Sequence, residues 1–223
     1  MRPTPLAAHK AAQHRGTPAA ERVQRQAGRR SFHRATAIAI GLLAVVCSAL
    51  YLVSDIIEAV QRGFSTGQLW LTLIAEAAIP VFVIGLAVAP CPRLGRVGVL
   101  SAVAYAYSYL VFTGTVVYAL VNQSKDYATL TDELGALMIV HGALMVLDGL
   151  GFGLAELRAR TLPAWTALAL MTGVVLVALA QRSSEAVQLM AAGLRDVAFA
   201  GMGAAVLRTA LLRDLPHSAV RPG

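Results

Sequence analysis

Eight ionisable residues stand within long apolar stretches of this chain: Asp55, Glu58, Glu76, His141, Asp148, Glu156, Arg195 and Asp196. In hydrocarbon, such a group costs at least about 2.5–3.5 kcal/mol near mid-depth, so by default it marks a functional site. Carboxyls and imidazoles give and take protons, and that is the chemistry these types suggest. One acid can match Arg195, with Asp148 or Glu76 as candidates, and His141 cannot neutralise all the others. A carboxylate without a cation in an apolar medium takes up a proton instead of staying charged. A neutral carboxylic acid in a dry cavity is a good general acid, and it is equally what a proton-coupled carrier requires.

Spacing groups these residues into faces. Ser48, Tyr51, Asp55 and Glu58 follow a 3-4-3 rhythm, as do His141, Met145, Asp148 and Phe152, so each set lines one side of a helix. Ser101, Tyr105, Ser108, Tyr109, Phe112 and Thr115 form a third stripe, the densest aromatic group in a chain that is 6% aromatic. Aromatic faces attract cations. Trp70 is a further candidate of this kind. Pro80 stands four residues after Glu76, so the Glu76 carbonyl loses its helical donor and a kink is expected. Gly149 and Gly153 predict close helix packing. Glu156, beside Arg158 and Arg160, reads as a solvated interfacial acid. Neighbours on a helix diverge by about 100°, so Arg195 and Asp196 are each expected to pair with another helix.

The elements that carry these faces follow from composition. Of the 223 residues, 57% are hydrophobic and 14% charged, against about 25% charged in soluble domains. That excludes a cytosolic globular enzyme and a disordered chain. Six segments, near 36–60, 68–90, 97–122, 134–157, 164–181 and 186–212, approach the roughly 20 apolar residues that span a bilayer. The fold class is therefore all-α, a polytopic membrane bundle of about six transmembrane helices. It divides into a basic tail (1–35), the bundle (36–213) and a short C-terminal tail (214–223). Eight of the 19 Lys and Arg precede residue 35, which reads as a lipid-touching anchor and not as a nucleic-acid surface. With the N-terminus inside, fifteen basic residues fall on the cytoplasmic side and three outside. The expectation is a multi-pass cell-membrane protein with both termini cytoplasmic. Arg29-Arg30 resembles a twin-arginine export signal, but the apolar run after it contains Asp55 and Glu58 and precedes five more spans.

Cys47 and Cys91 make neither a disulfide framework nor a zinc site. A single intramembrane histidine cannot supply the paired axial imidazoles of a membrane haem. No Walker loop, dinucleotide glycine motif or GxSxG nucleophile appears. No cofactor and no metal is expected.

In size, span count and acids on separate helices, such as Glu58 and Asp196, the chain resembles the small integral-membrane terpene cyclases of meroterpenoid and indole-sesquiterpenoid pathways. The resemblance implies proton-initiated cyclisation of an apolar, isoprenoid-type substrate. Under it Asp196 or Glu58 donates the proton, with Glu76 and Asp148 shaping the site. Tyr51, Asp55, Trp70, Tyr105, Tyr109, Phe112, His141, Phe152 and Arg195 would then line the substrate. Two alternatives remain open from the residues alone. One is a proton-coupled small-molecule transporter, working singly or as a homodimer. The other is a structural or accessory membrane protein whose acids satisfy one another.

Overall fold

The computed structural model describes residues 18–88, 94–181 and 183–212. Cys91, Arg93, Arg182 and the C-terminal tail at 214–223 lie outside these residues, as does the first half of the basic tail. The described residues are all-helical, with no strand among them. Seven helices follow in order: α1 Pro18–Gln61, α2 Thr66–Val88, α3 Gly95–Asn122, α4 Tyr127–Leu134, α5 Ala136–Ala159, α6 Ala164–Ala180 and α7 Glu185–Leu212. The chain divides into two units, Met1–Thr36 and Ala37–Gly223. The second holds the bundle.

Among the described residues, five helices are long and apolar enough to cross a membrane: the His33–Gln61 part of α1, then α2, α3, α5 and α7. The sixth apolar helix, α6, has 17 residues. Large hydrophobic side chains on the outer surface, among them Val81, Val97, Leu110, Ile139, Leu147 and Leu179, are exposed. A coat of this kind is costly in water and is natural against lipid. This is a multi-pass membrane protein.

Within the second unit the helices form a ring in chain order. α2 packs on α3, α3 on α5, α5 on α6, and α6 on α7. Contacts between Gly41 of α1 and Gly203 of α7 close the ring, and α1 meets α2 where Ile40 covers Gly85. The closure is a backbone-to-backbone approach. A Cβ on Gly41 would stand 2.8 Å from the Gly203 carbonyl oxygen, and one on Gly203 would stand 2.7 Å from that of Gly41. Small residues permit such approach and the dispersion contact that holds membrane helices together. The middle of the ring is filled by Phe82, Tyr105, Tyr109, Phe152, Phe199 and Met202.

The element absent from the sequence reading is α4, an eight-residue helix between α3 and α5. Asp126 caps it, accepting from the Thr129 backbone N–H at 2.7 Å. Gly135 ends α4 and starts α5 with φ +49° and ψ −119°, a conformation in which a side chain is strained. That sharp break turns the chain from the short helix into the long one.

Candidate functional site

Polar side chains from α1, α2, α3 and α7 converge in the ring. Arg195 lies at their centre. Its Nε donates to Asp196 Oδ1 at 3.0 Å, and its terminal nitrogen stands 3.0 Å from the same oxygen and 3.9 Å from Asp55 Oδ2. The guanidinium also lies over the Tyr51 ring, 4.6 Å from its centroid, within cation–π range. Tyr51 in turn donates its hydroxyl to Glu76 Oε1 at 2.9 Å. Glu76 and Asp196 are only 4% and 2% exposed.

This arrangement corrects the expected pairing of Arg195. Its partners are the adjacent Asp196 and Asp55 of α1, whereas Asp148 lies between α3 and α5 with Ser108 Oγ at 3.5 Å. Arg195 and Asp196 diverge on the helix surface, but a long arginine side chain folds back along its own helix to meet its neighbour. Gly173 of α6 makes room for α7 at that level. A Cβ there would meet the Arg195 backbone nitrogen at 2.8 Å.

Aromatic side chains abut the polar set. The Tyr105 and Tyr109 rings meet edge to face at 5.1 Å, with their hydroxyl oxygens 3.5 Å apart. Phe199 lies 6.1 Å from Tyr105 and 5.2 Å from Phe82. Gly149 brings α5 onto the Tyr105 ring, where an added Cβ would stand at 3.2 Å. Phe152, one turn further along α5, is fully buried in the same core.

Of the sequence candidates, Tyr51, Asp55, Glu76, Tyr105, Tyr109, Arg195 and Asp196 are therefore brought together. Phe152 shares their core, and the others lie elsewhere. Trp70 is 53% exposed on the outer surface. His141 faces Tyr107, itself an exposed residue, with ring centroids 6.1 Å apart, and its Nδ1 lies 2.9 Å from the Leu137 carbonyl oxygen. Phe112 is half-buried on α3, toward the end at which Glu58 lies on α1.

Three buried residues escaped the sequence reading. Ser54, Gln68 and Thr72 form a polar seam between α1 and α2. Ser54 and Thr72 hydroxyl oxygens are 2.6 Å apart. The Gln68 amide nitrogen lies 3.1 Å from Ser54 Oγ, 3.0 Å from Thr72 Oγ1 and 3.2 Å from Glu58 Oε2. Gln68, Thr72 and Glu76 recur at four-residue intervals, and that stripe was the available signal. Glu156 also differs from expectation: it is 1% exposed, not solvated, and accepts a hydrogen bond from Thr161. The turn that ends α5 at Arg160, in a left-handed conformation, leads the chain back so that Thr161 reaches that acid.

Several buried oxygens in this interior have no hydrogen-bond donor: Ser48 Oγ, Asp55 Oδ2, Gln68 Oε1, Glu76 Oε2 and Asp196 Oδ2. All are acceptors or hydroxyls, so the polar set is short of protons and positive charge. Among the described residues no three His, Cys, Asp or Glu side chains are grouped to hold a metal ion. Carboxyls and hydroxyls in this set are groups that can exchange protons. No family model, no curated protein and no solved structure matches this chain.

Proposed function

We propose that this chain is a membrane-embedded acid–base enzyme that protonates an apolar, isoprenoid-type small molecule and so starts its cyclisation. The observation that carries the reading is the charge count in the ring: Asp55, Glu76 and Asp196 accompany one guanidinium, that of Arg195. Two ionised acids without cations are too costly in this interior, so protons balance them. Arg195 is bonded to Asp196 and near Asp55, whereas Glu76 has only the Tyr51 hydroxyl. Glu76 is thus the proton donor, in place of Asp196 or Glu58, and its unpartnered Oε2 carries the proton.

The substrate double bond takes that proton, and Tyr105, Tyr109 and Phe199, once parted to admit the substrate, stabilise the resulting cation with their faces. Asp196 then removes a proton, so the product is an isomer of the substrate. Purified protein incubated in D₂O with a panel of prenylated compounds tests this by mass spectrometry. The expected product has its substrate's formula with one hydrogen replaced by deuterium, and Glu76→Gln abolishes it. Full turnover in that variant would sink the assignment.

A second reading, proton-coupled transport, is favoured by the stacking of Phe82, Phe199, Tyr105 and Tyr109 on one another. With those rings in mutual contact, the Tyr51–Glu76 and Arg195 network is the part that exchanges protons. Solute uptake by reconstituted protein that follows an imposed pH gradient, with no change in the solute's mass, selects this reading.

In either case we take α6 as a sixth crossing. Its 17 residues at 1.5 Å each make about 26 Å, close to the thinner bilayers. Six crossings place both termini on one side, and the fifteen-to-three distribution of Lys and Arg makes that side the cytoplasm of the cell membrane.

A further inference from the structure

We propose that the seam between α1 and α2 is the proton access route to Glu76, and that Gln68 is its gate. The inference rests on the donor role given to Glu76 above. That residue is sealed in the ring, so each turnover or coupled cycle requires a path by which its proton is replaced. The seam supplies one. Glu58 lies in the last turn of α1 and is only partly covered. Behind it stand the buried hydroxyls of Ser54 and Thr72, 2.6 Å apart. Thr72 and Glu76 share a face of α2 four residues apart, about 6 Å along the axis. Glu76 is bonded through Oε1 alone, so its side chain is free to swing toward Thr72 for the last step.

The proton count balances along the route. Glu58 gives its proton to Ser54 Oγ as the Ser54 hydroxyl proton passes to Thr72 Oγ1. The Thr72 proton passes to the Glu76 carboxylate. Both hydroxyls end with one proton each, and water reprotonates Glu58.

Gln68 interrupts this path as it stands. Its amide nitrogen sits between Glu58 and the two hydroxyls, and an amide does not relay protons as a hydroxyl does. Its two N–H groups face three acceptors, of which the Ser54 and Thr72 oxygens also serve each other, and its Oε1 has no donor. When the amide turns aside it gives up contacts through its nitrogen alone, and the Ser54–Thr72 pair stays bonded. Ser54 and Glu58 are four residues apart on one face of α1 and then meet directly.

The test is infrared spectroscopy of the full-length protein in lipid on transfer to D₂O. The carboxylic C=O band of Glu76 is identified by its disappearance in Glu76→Gln, and its deuterium shift gives an exchange time. Combining Ser54→Ala with Thr72→Val is expected to lengthen that time by at least about tenfold, as loss of a positioned proton relay does elsewhere. Thr72→Ser restores the fast exchange, and Gln68→Ala shortens the time relative to the unaltered chain. The opposite signs matter, because a merely loosened fold opens more often and exchanges faster in every variant. Exchange in the double variant at or above the original rate, with the band present, overturns the route. So does an unchanged rate in Gln68→Ala. Absence of the band from the unaltered protein overturns the donor role of Glu76 and the route with it.

Discussion

Gly173→Ala adds one methyl group at the level of the polar core, and its consequences follow from the packing of α7. The new Cβ would stand 2.8 Å from the Arg195 nitrogen, 2.9 Å from its Cα and 3.0 Å from its Cβ. Carbon contacts settle at about 3.5 Å or more, so α6 and α7 must separate by roughly half an ångström. No side-chain rotation relieves this, since two of the three atoms are backbone. α7 cannot move toward α1 either, because Gly203 and Gly41 already meet through their backbones. Overpacking of this kind costs about 1–3 kcal/mol, partly offset by the 0.5–1 kcal/mol or so that alanine gains over glycine within a helix. The net loss is about 1–2 kcal/mol, equivalent to several degrees of melting temperature for a chain of this size. Gly142→Ala is the matched control: its Cβ meets nothing within 4 Å, so it should melt at or above the unaltered protein. The Arg195–Asp55 distance, already 3.9 Å, is also disturbed, so turnover or coupled uptake should fall in Gly173→Ala alone. Thermal unfolding of both variants in the same detergent decides the matter. If Gly173→Ala melts as high as Gly142→Ala, the two-sided confinement of α7 is wrong.

Three further outcomes are expected. Trp70 and Trp165, 53% and 52% exposed near opposite faces of the bundle, should both be quenched by brominated lipid, and Trp70→Leu should leave turnover unchanged; protection of either indole counts against the outer surface described here. Glu156→Ala removes the acceptor of the Thr161 hydroxyl and should lower stability by roughly 1–3 kcal/mol, while Glu156→Gln keeps a carbonyl acceptor and loses less; equal melting of the two would refute this. Asp126→Ala should loosen α4 at a loss of about 1 kcal/mol, read by faster amide exchange at Thr129. Backbone and side-chain bonding to Thr129 holds the Asp126 carboxyl below its usual range. Its capping contribution is therefore present above the ordinary aspartate value and is lost as acidity passes the lowered one.

Hydropathy located most long helices within a few residues: a segment expected at 68–90 is Thr66–Val88, and one at 186–212 is Glu185–Leu212, whereas the helix expected at 36–60 starts at Pro18. Periodicity also turned Tyr51, Tyr105 and Tyr109 inward, because a helix in lipid hides its polar and aromatic groups on one face. Shorter and longer-range features were not legible. α4 has too few residues for a period to register. Ser54, Gln68 and Thr72 are unremarkable singly, since hydroxyls and amides occur in many apolar helices, and only their contact across α1 and α2 gives them meaning. Glu156 was misread because Arg158 and Arg160 lie near it in sequence, whereas its burial depends on how the next turn leads Thr161 back.

The bond between Arg195 and its own neighbour bears on how such a chain enters a membrane. Helices are delivered to the bilayer in order of synthesis, so α7 arrives after every other part of the ring. A lone guanidinium on that helix would face lipid while seeking its place. Because Asp196 accepts two contacts from Arg195 within the same helix, α7 carries its counter-ion with it and crosses as a locally neutral unit. The α1–α2 hairpin is provisioned alike, with Tyr51 on Glu76 and Ser54 on Thr72. Each inserting piece thus satisfies much of its own polarity, and the contacts of Arg195 with Asp55 and the Tyr51 ring, together with the glycine crossing, await the final docking that shuts the ring.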